Sequence, residues 1–351
     1  MTAPAEARAT IARRLRWQAG HCVRLGSELY GLLLESAAAD VEAGGPAWRV
    51  LEGQERDPAT SMPALRLMGA VHRLVLAGAA PDLAPYYGSV GGHREAAEAW
   101  PAFRSLLEEC PEELRDLVPM PVQTNEVGRS AALVGGFLMC AARTGLPLRL
   151  LELGASAGLN LRFDRYLYTR GAMRWGDERS AVRFVDWFEG ATPPLDVQAA
   201  IATRAGCDAR PLDPASENDR LTLLSFVWPD QPERFELLRA ALAIVAEGPA
   251  AVERADAVEW LERRLDQPAP EVATVVFHSI FAQYLDDEGR ERMETALASA
   301  GARATAEAPL AWLRMEASGE LADVRLTTWP GGKQSLIARA GYHGRPVQWL
   351  D

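Results

Sequence analysis

Apolar positions in the first part of the chain recur three and four residues apart. Ile11, Leu15, Cys22, Leu25, Leu29, Leu32 and Leu33 keep this spacing, as do Leu65, Leu67, Met68, Val71, Leu74 and Val75. The period predicts amphipathic helices from about residue 5 to residue 142. Breaks are predicted at Gly44-Gly45-Pro46, in the stretch PDLAPYYGSVGG at residues 81–92, and at Pro119 and Pro121. The pattern changes at Leu148. Leu148-Arg-Leu-Leu-Glu-Leu153 is a short apolar run ended by glycines, which predicts a buried strand.

Strand-like and helix-like segments alternate from there on. A hairpin is predicted over residues 173–188, an amphipathic helix over 233–247 and a short strand ending at Ala255-Asp256-Ala257. The clearest strand is EVATVVFHS at residues 271–279, followed by a helix over 287–299 and a strand over 309–315. Runs at 324–329 and 335–340 flank Pro330-Gly331-Gly332 and predict an antiparallel hairpin closing the sheet. Such alternation predicts an α/β fold, a doubly wound and mostly parallel sheet with ligands at the carboxyl ends of its strands. The expected domains are a helical substrate or lid domain over residues 1–121 and an α/β domain over 122–351, with an insertion near 165–205.

Composition narrows the function classes. The 351 residues are 48% hydrophobic and 24% charged, as in ordinary globular proteins. The longest apolar run, near residues 131–142, is shorter than the roughly 20 residues that a membrane-spanning helix needs. The opening MTAPAEARAT lacks the apolar core of a secretory signal. A cytoplasmic protein with no membrane partner is expected. The net charge of −11 with no basic patch argues against nucleic acid as a partner. Lys333 is the only lysine, so nearly all the positive charge is arginine. Cys22, Cys110, Cys140 and Cys207 are scattered without a C-x-x-C pair, and the five histidines are dispersed, so neither a disulfide framework nor a protein-built metal site is expected.

The candidate chemistry lies after the predicted strand at 148–153, in Glu152-Leu-Gly154-Ala155-Ser156-Ala-Gly158-Leu-Asn160. Two glycines permit a tight turn and close approach of a ligand to main chain. Two readings compete for it. Gly154-Ala155-Ser156-Ala157-Gly158 has the G-x-S-x-G form of a nucleophile elbow, with Ser156 as nucleophile, Asp256 as acid and His278 or His343 as base. Against it, the preceding region reads as helical and no HGGG-type oxyanion loop is present. With Glu152 included, the run becomes E-x-G-x-x-x-G. This resembles motif I of class I S-adenosylmethionine-dependent methyltransferases, departing from it at the middle glycine, where Ser156 stands. The nicotinamide-type G-x-G-x-x-G is absent.

The methyltransferase resemblance implies further positions. Asp256 and Ala257, at the predicted third strand end, would meet the adenine. Phe277-His278-Ser279 would line the pocket as motif IV, which here lacks N-P-P-Y and so disfavours a nucleic-acid base as acceptor. The acid for the ribose hydroxyls is expected at Asp213 or, alternatively, Asp186. At whole-chain scale the sequence resembles the domain-of-unknown-function family 2332. The stretches that carry this are Gly26-Ser-Glu-Leu-Tyr30, Gln123-Thr-Asn-Glu-Val-Gly-Arg129, residues 151–164, Val227-Trp-Pro-Asp-Gln231 and residues 275–285. That family implies a methyltransferase-like fold without an assigned reaction.

Remaining candidates each have a structural alternative. Arg129 would pair the cofactor carboxylate, with Asn125 and Glu126 facing substrate, unless the stretch is simply a helix N-cap. His278 is the candidate general base, with Gln283 and Tyr284 behind it on the same edge. Trp228-Pro-Asp230 would pack against the cofactor or, as is favoured, cap the next helix, and Tyr86-Tyr87-Gly88 with Gly91-Gly92 form part of a substrate lid or a long connection. The expected function is methyl transfer from S-adenosylmethionine to a small-molecule oxygen or nitrogen. The alternatives are a serine hydrolase built on Ser156 and a non-catalytic S-adenosylmethionine-binding protein.

Overall fold

The computed structural model describes residues 3–58, 61–246, 248, 251–267 and 269–350. Helices α1 (Ala3–Arg24), α2 (Glu28–Glu42), α3 (Pro46–Leu51), α4 (Pro63–Leu76), α5 (Trp100–Glu109) and α6 (Pro111–Leu117) open the chain. Then come α7 (Arg129–Thr144), β1 (Leu148–Leu153), β2 (Leu167–Arg170), β3 (Met173–Gly176), β4 (Arg183–Val185), β5 (Phe188–Gly190) and β6 (Ile201–Asp208). They are followed by α8 (Glu217–Ser225), α9 (Pro232–Ala246), β7 (Ala251–Arg254), α10 (Ala257–Leu265), β8 (Ala273–Ser279) and α11 (Asp287–Arg303). The strands β9 (Leu310–Ser318), β10 (Leu321–Trp329), β11 (Lys333–Ala340) and β12 (Val347–Trp349) close it. The predicted helix over 233–247 corresponds to α9, and its last position, Glu247, lies outside the described residues.

Two compact units divide these elements: Met1–Thr124 with Glu217–Glu236, and Asn125–Ser216 with Leu237–Asp351. The helical unit therefore takes in a second stretch, which the expected boundary at 121/122 assigned to the α/β domain. In this unit the stripe predicted by period is buried at Ile11, Leu15, Leu33, Leu67, Val71 and Leu74, while Leu25 and Leu32 face solvent. Its polar seams also run between distant stretches. Ser27 Oγ donates to Asp230 Oδ1 at 2.7 Å, and Leu29 N donates to Asp230 Oδ2 at 3.1 Å. Asp230 thus caps α2, not the helix that follows it in sequence, because the free N–H groups at the start of α2 lie beside it. Tyr87 is buried in the helical core, so this ring of the candidate lid is a packing residue.

The α/β unit is built on one nine-stranded sheet in the order β5-β12-β11-β10-β9-β8-β1-β6-β7, with a separate three-stranded sheet β3-β2-β4. From β7 to β9 every neighbouring pair is parallel, whereas β9 to β12 form an antiparallel meander. Counting only the parallel strands in chain order, β1, β6, β7, β8 and β9 lie side by side as 3-2-1-4-5. β1 is therefore the strand at which the sheet's lateral order reverses. The burial pattern fits: β1 and β8 are near-continuous apolar runs, as strands covered on both faces must be.

Alternation along the strands decides which side chains meet. Leu151 and Leu153 of β1, Val276 of β8 and Trp312 of β9 face α10 and α11, in a core with Trp260, Leu261, Met293 and Leu297. The residues between them point the other way. Phe277 meets Phe137 of α7 edge-on, with ring centroids 5.0 Å apart. Glu152 pairs in register with Phe277 and with Gly206, so it shares the α7 face.

Candidate functional site at the carboxyl ends of β1 and β6

The chain leaves β1 through a turn in which Gly154, Ser156 and Gly158 have φ of 68°, 53° and 74°. Glycine is required at the first of these. A Cβ at Gly154 would stand 2.6 Å from the Phe281 ring, in a conformation that L residues rarely adopt. The turn also folds back on β6, and a Cβ on Gly206 would lie 2.6 Å from that of Ala155. Ser156 tolerates its left-handed conformation because the neighbouring strand holds it. Its N–H donates to Asp208 Oδ2 at 3.0 Å.

Every N–H from Ala155 to Leu159 already donates within the protein. Ala155 N reaches Cys207 O at 3.0 Å and Gly158 N reaches Ala155 O at 2.7 Å. Ala157 N and Leu159 N both reach Asn125 Oδ1, at 3.2 and 3.1 Å. A phosphate cradle needs free N–H groups, and this turn keeps none in reserve. What it presents is carboxylate.

Glu152 is 3% exposed and its Oε2 has no hydrogen-bond partner. Burial pushes its carboxyl well above the usual range, and the charge of Asp208 pushes it further. A hydrogen bond from Asn160 and the attraction of Arg129 offset this only in part. Asn160 Oδ1 in turn accepts from Ser130 Oγ at 2.7 Å, at the start of α7. Asp208 ends β6 two residues beyond Gly206, on the same face as Glu152, and its Oδ1 accepts from Arg210 N at 2.8 Å.

Asp208 ends β6, the strand beside β1, whereas the sequence predicts the acid for the ribose hydroxyls at Asp213 or Asp186. Asp213 lies on an exposed turn and accepts from Ala215 N at 2.9 Å. Asp186, just after β4, accepts from Gly171 N, in the turn between β2 and β3, at 3.1 Å. Leu212 N, next to Asp213, donates to Ser156 O at 3.3 Å, which brings that segment against the glycine turn. A signal was present in IATRAGCD, which ends in an acid after a glycine, but it is legible only once β6 is known to pair with β1.

Other candidates are more committed than expected. Asn125 is 6% exposed and spends its carbonyl on the turn, so it shapes the site. Glu126 is also buried, and its carbonyl accepts from Arg129 N at 3.3 Å. Arg129 donates Nε to Tyr342 O at 3.1 Å and a terminal nitrogen to Ser279 O at 3.2 Å, bracing two loops beside Glu152. Asp256 caps α10, its Oδ1 accepting from Val258 N and Glu259 N at 2.9 and 3.0 Å, with Ala257 the first residue of that helix. Asp256 does stand beside β6, since Ala255 N donates to Asp208 O at 3.1 Å.

His278 departs most from expectation. Its neighbour Phe277 shares the Glu152 face, so His278 points to the opposite one, where it is fully buried. Trp312 Nε1 donates to its Nε2 at 3.0 Å, which fixes the proton on Nδ1, and Nδ1 donates to Glu316 Oε1 at 2.6 Å. Both nitrogens are engaged, so the ring has no lone pair to offer as a base. Glu316 also accepts from Phe281 N and Ala282 N, at 3.0 and 3.3 Å. Burial raises its carboxyl, but these donors outweigh burial and hold it below its ordinary value. The cluster fixes the loop that sets Phe281 against Gly154. Tyr284, farther along that loop, is 67% exposed.

His278 faces Trp312 and Glu316, Asp256 caps a helix, and His343 lies in the loop after β11 with its carbonyl against Gly128. Among the described residues no group of three or more His, Cys, Asp or Glu side chains is placed to hold a metal ion. No helix among them is long and apolar enough to cross a membrane.

The geometry defines a mixed α/β protein with a large, mostly parallel sheet and two acids at adjacent strand ends. Over residues 12–349 the chain matches the model of a family described as an uncharacterized protein conserved in bacteria (DUF2332), and it belongs to that family. No curated protein and no solved structure matches it.

Proposed function

We propose that this protein binds S-adenosylmethionine at the Gly154–Gly158 turn and transfers its methyl group to a small-molecule oxygen or nitrogen. The observation that carries this reading is the pairing of Glu152 and Asp208. Two carboxylates stand at the ends of adjacent parallel strands, flanking a turn whose N–H groups are already used. Such a site suits a ligand rich in donors and positive charge, and it does not suit a bare phosphate. The 3-2-1-4-5 order supports the reading too. It is the order of doubly wound nucleotide-binding sheets, whose ligands sit where the strand order reverses. The fold inferred is thus methyltransferase-like, with an antiparallel meander in place of further parallel strands.

Each residue then has a task set by its chemistry. Glu152 Oε2 is an acceptor awaiting a donor and would take the ammonium group of the methionine end. Asp208 would accept from the ribose hydroxyls while still holding Ser156 in place. Asp256 and Ala257, at the end of β7, would border the adenine. The cofactor supplies an electrophilic methyl group. Transfer to a nucleophile held in line rests on proximity and orientation, so no dedicated base is required, in keeping with the engagement of both His278 nitrogens.

Isothermal titration with S-adenosylmethionine and S-adenosylhomocysteine tests the reading. Micromolar binding that is lost in Gly154→Arg and weakened at least tenfold in Asp208→Asn is expected, while a fluorophosphonate leaves Ser156 unlabelled. Absence of binding by both nucleotides in the folded wild-type protein would overturn it.

A further inference from the structure

Resting on that reading, we infer that Glu152 carries a proton in the ligand-free protein and that a ligand's cationic head expels it on binding. The geometry leads there in three steps. First, Glu152 is buried on the α7 face of β1 and its Oε2 meets no donor, so an ionised carboxylate would be left with a bare oxygen out of water. Second, the groups around it do not balance a charge. Asp208 on β6 opposes it, the Asn160 amide satisfies one oxygen, and the Arg129 guanidinium on α7 already serves two carbonyls. The nearby Cys207 and Tyr166 are buried neutral groups whose own ionisation Glu152 disfavours. Third, the turn offers no N–H to an anion, so what it selects for is a donor.

An ammonium group against Oε2 changes the balance. It supplies the missing hydrogen bond and a compensating charge, and the carboxyl then loses its proton to solvent. The site is thereby a charge filter. A nucleoside without a cationic head leaves the acid protonated and forgoes the ion pair.

Two measurements decide this. In the free protein near neutral pH, the infrared difference between wild type and Glu152→Gln should contain the carbonyl band of a protonated carboxyl, and its absence overturns the inference. Titration with S-adenosylhomocysteine in phosphate and in Tris at the same pH should show release of about one proton per site in wild type and none in Glu152→Gln. The probe 5′-methylthioadenosine, which lacks the amino-acid head, should bind more weakly and release none. Equal proton release by that probe overturns the requirement for a cation. Binding of S-adenosylhomocysteine without proton exchange overturns the inference and leaves the proposed function standing, whereas no binding of either nucleotide overturns both.

Discussion

The two faces of the central sheet hold two acids in opposite circumstances, Glu152 buried and Glu316 partly buried. Glu316, on the face toward α10 and α11, receives His278, Phe281 N and Ala282 N, and these donors hold its carboxyl below the ordinary value. Glu152, toward α7, has one oxygen without any partner and a carboxyl pushed well up. A buried polar network that is complete rigidifies its surroundings, whereas one that is incomplete carries a desolvation cost that something else must relieve. The comparison assigns Glu316 to the scaffold and Glu152 to binding, although a histidine beside an acid is the more familiar sign of catalysis.

The sharpest way to break this assignment is Glu316→Ala. It orphans the Nδ1–H of His278 and two backbone N–H groups, and a loss of about 2–4 kcal/mol is expected. Chemical denaturation measures it. If Glu316 is scaffold, nucleotide affinity per folded molecule falls only as far as the Phe281 loop loosens. A variant of wild-type stability that cannot turn over would instead make the cluster catalytic. Gly154→Ala comes next. It forces a side chain into φ of 68° and against Phe281, for an expected loss of about 1–3 kcal/mol together with nucleotide binding.

The parts of this picture that sequence made legible are the local ones. The glycine turn and Glu152 are contiguous, and each glycine announces a backbone need. Asp208 escaped because its importance depends on a neighbour 50-odd residues away, and nothing between Gly158 and Ile201 shows that β6 pairs with β1. The setting of His278 is hidden in the sequence for a related reason. Period two separates Phe277 from His278, but only the register with Glu152 says which of them shares its face. The α8 stretch joined the helical unit through contacts no pattern reveals, such as Ser225 O with His72 Nδ1 at 3.1 Å. Asp256 is legible as an acid at a strand end, and the same position also serves as the N-cap of α10.

The pH signatures separate the two acids most cleanly, because they have opposite sign. Glu316 is depressed when folded, so its contribution is present above its ordinary value of 4.5 and is lost as pH falls through the lower folded value. Glu152 is raised when folded, so its contribution is full below 4.5 and drains away as pH rises toward the higher folded value. Glu152→Gln removes that drain. The variant should match wild type near pH 4 and exceed it increasingly above, gaining at most about 1.4 kcal/mol per pH unit. Denaturation midpoints between pH 4 and 8 check this, and a constant offset would mean that Glu152 is ionised throughout. A saturating nucleotide should flatten the difference, since binding supplies the missing donor to Oε2 and ends the penalty that distinguishes this face of the sheet from the other.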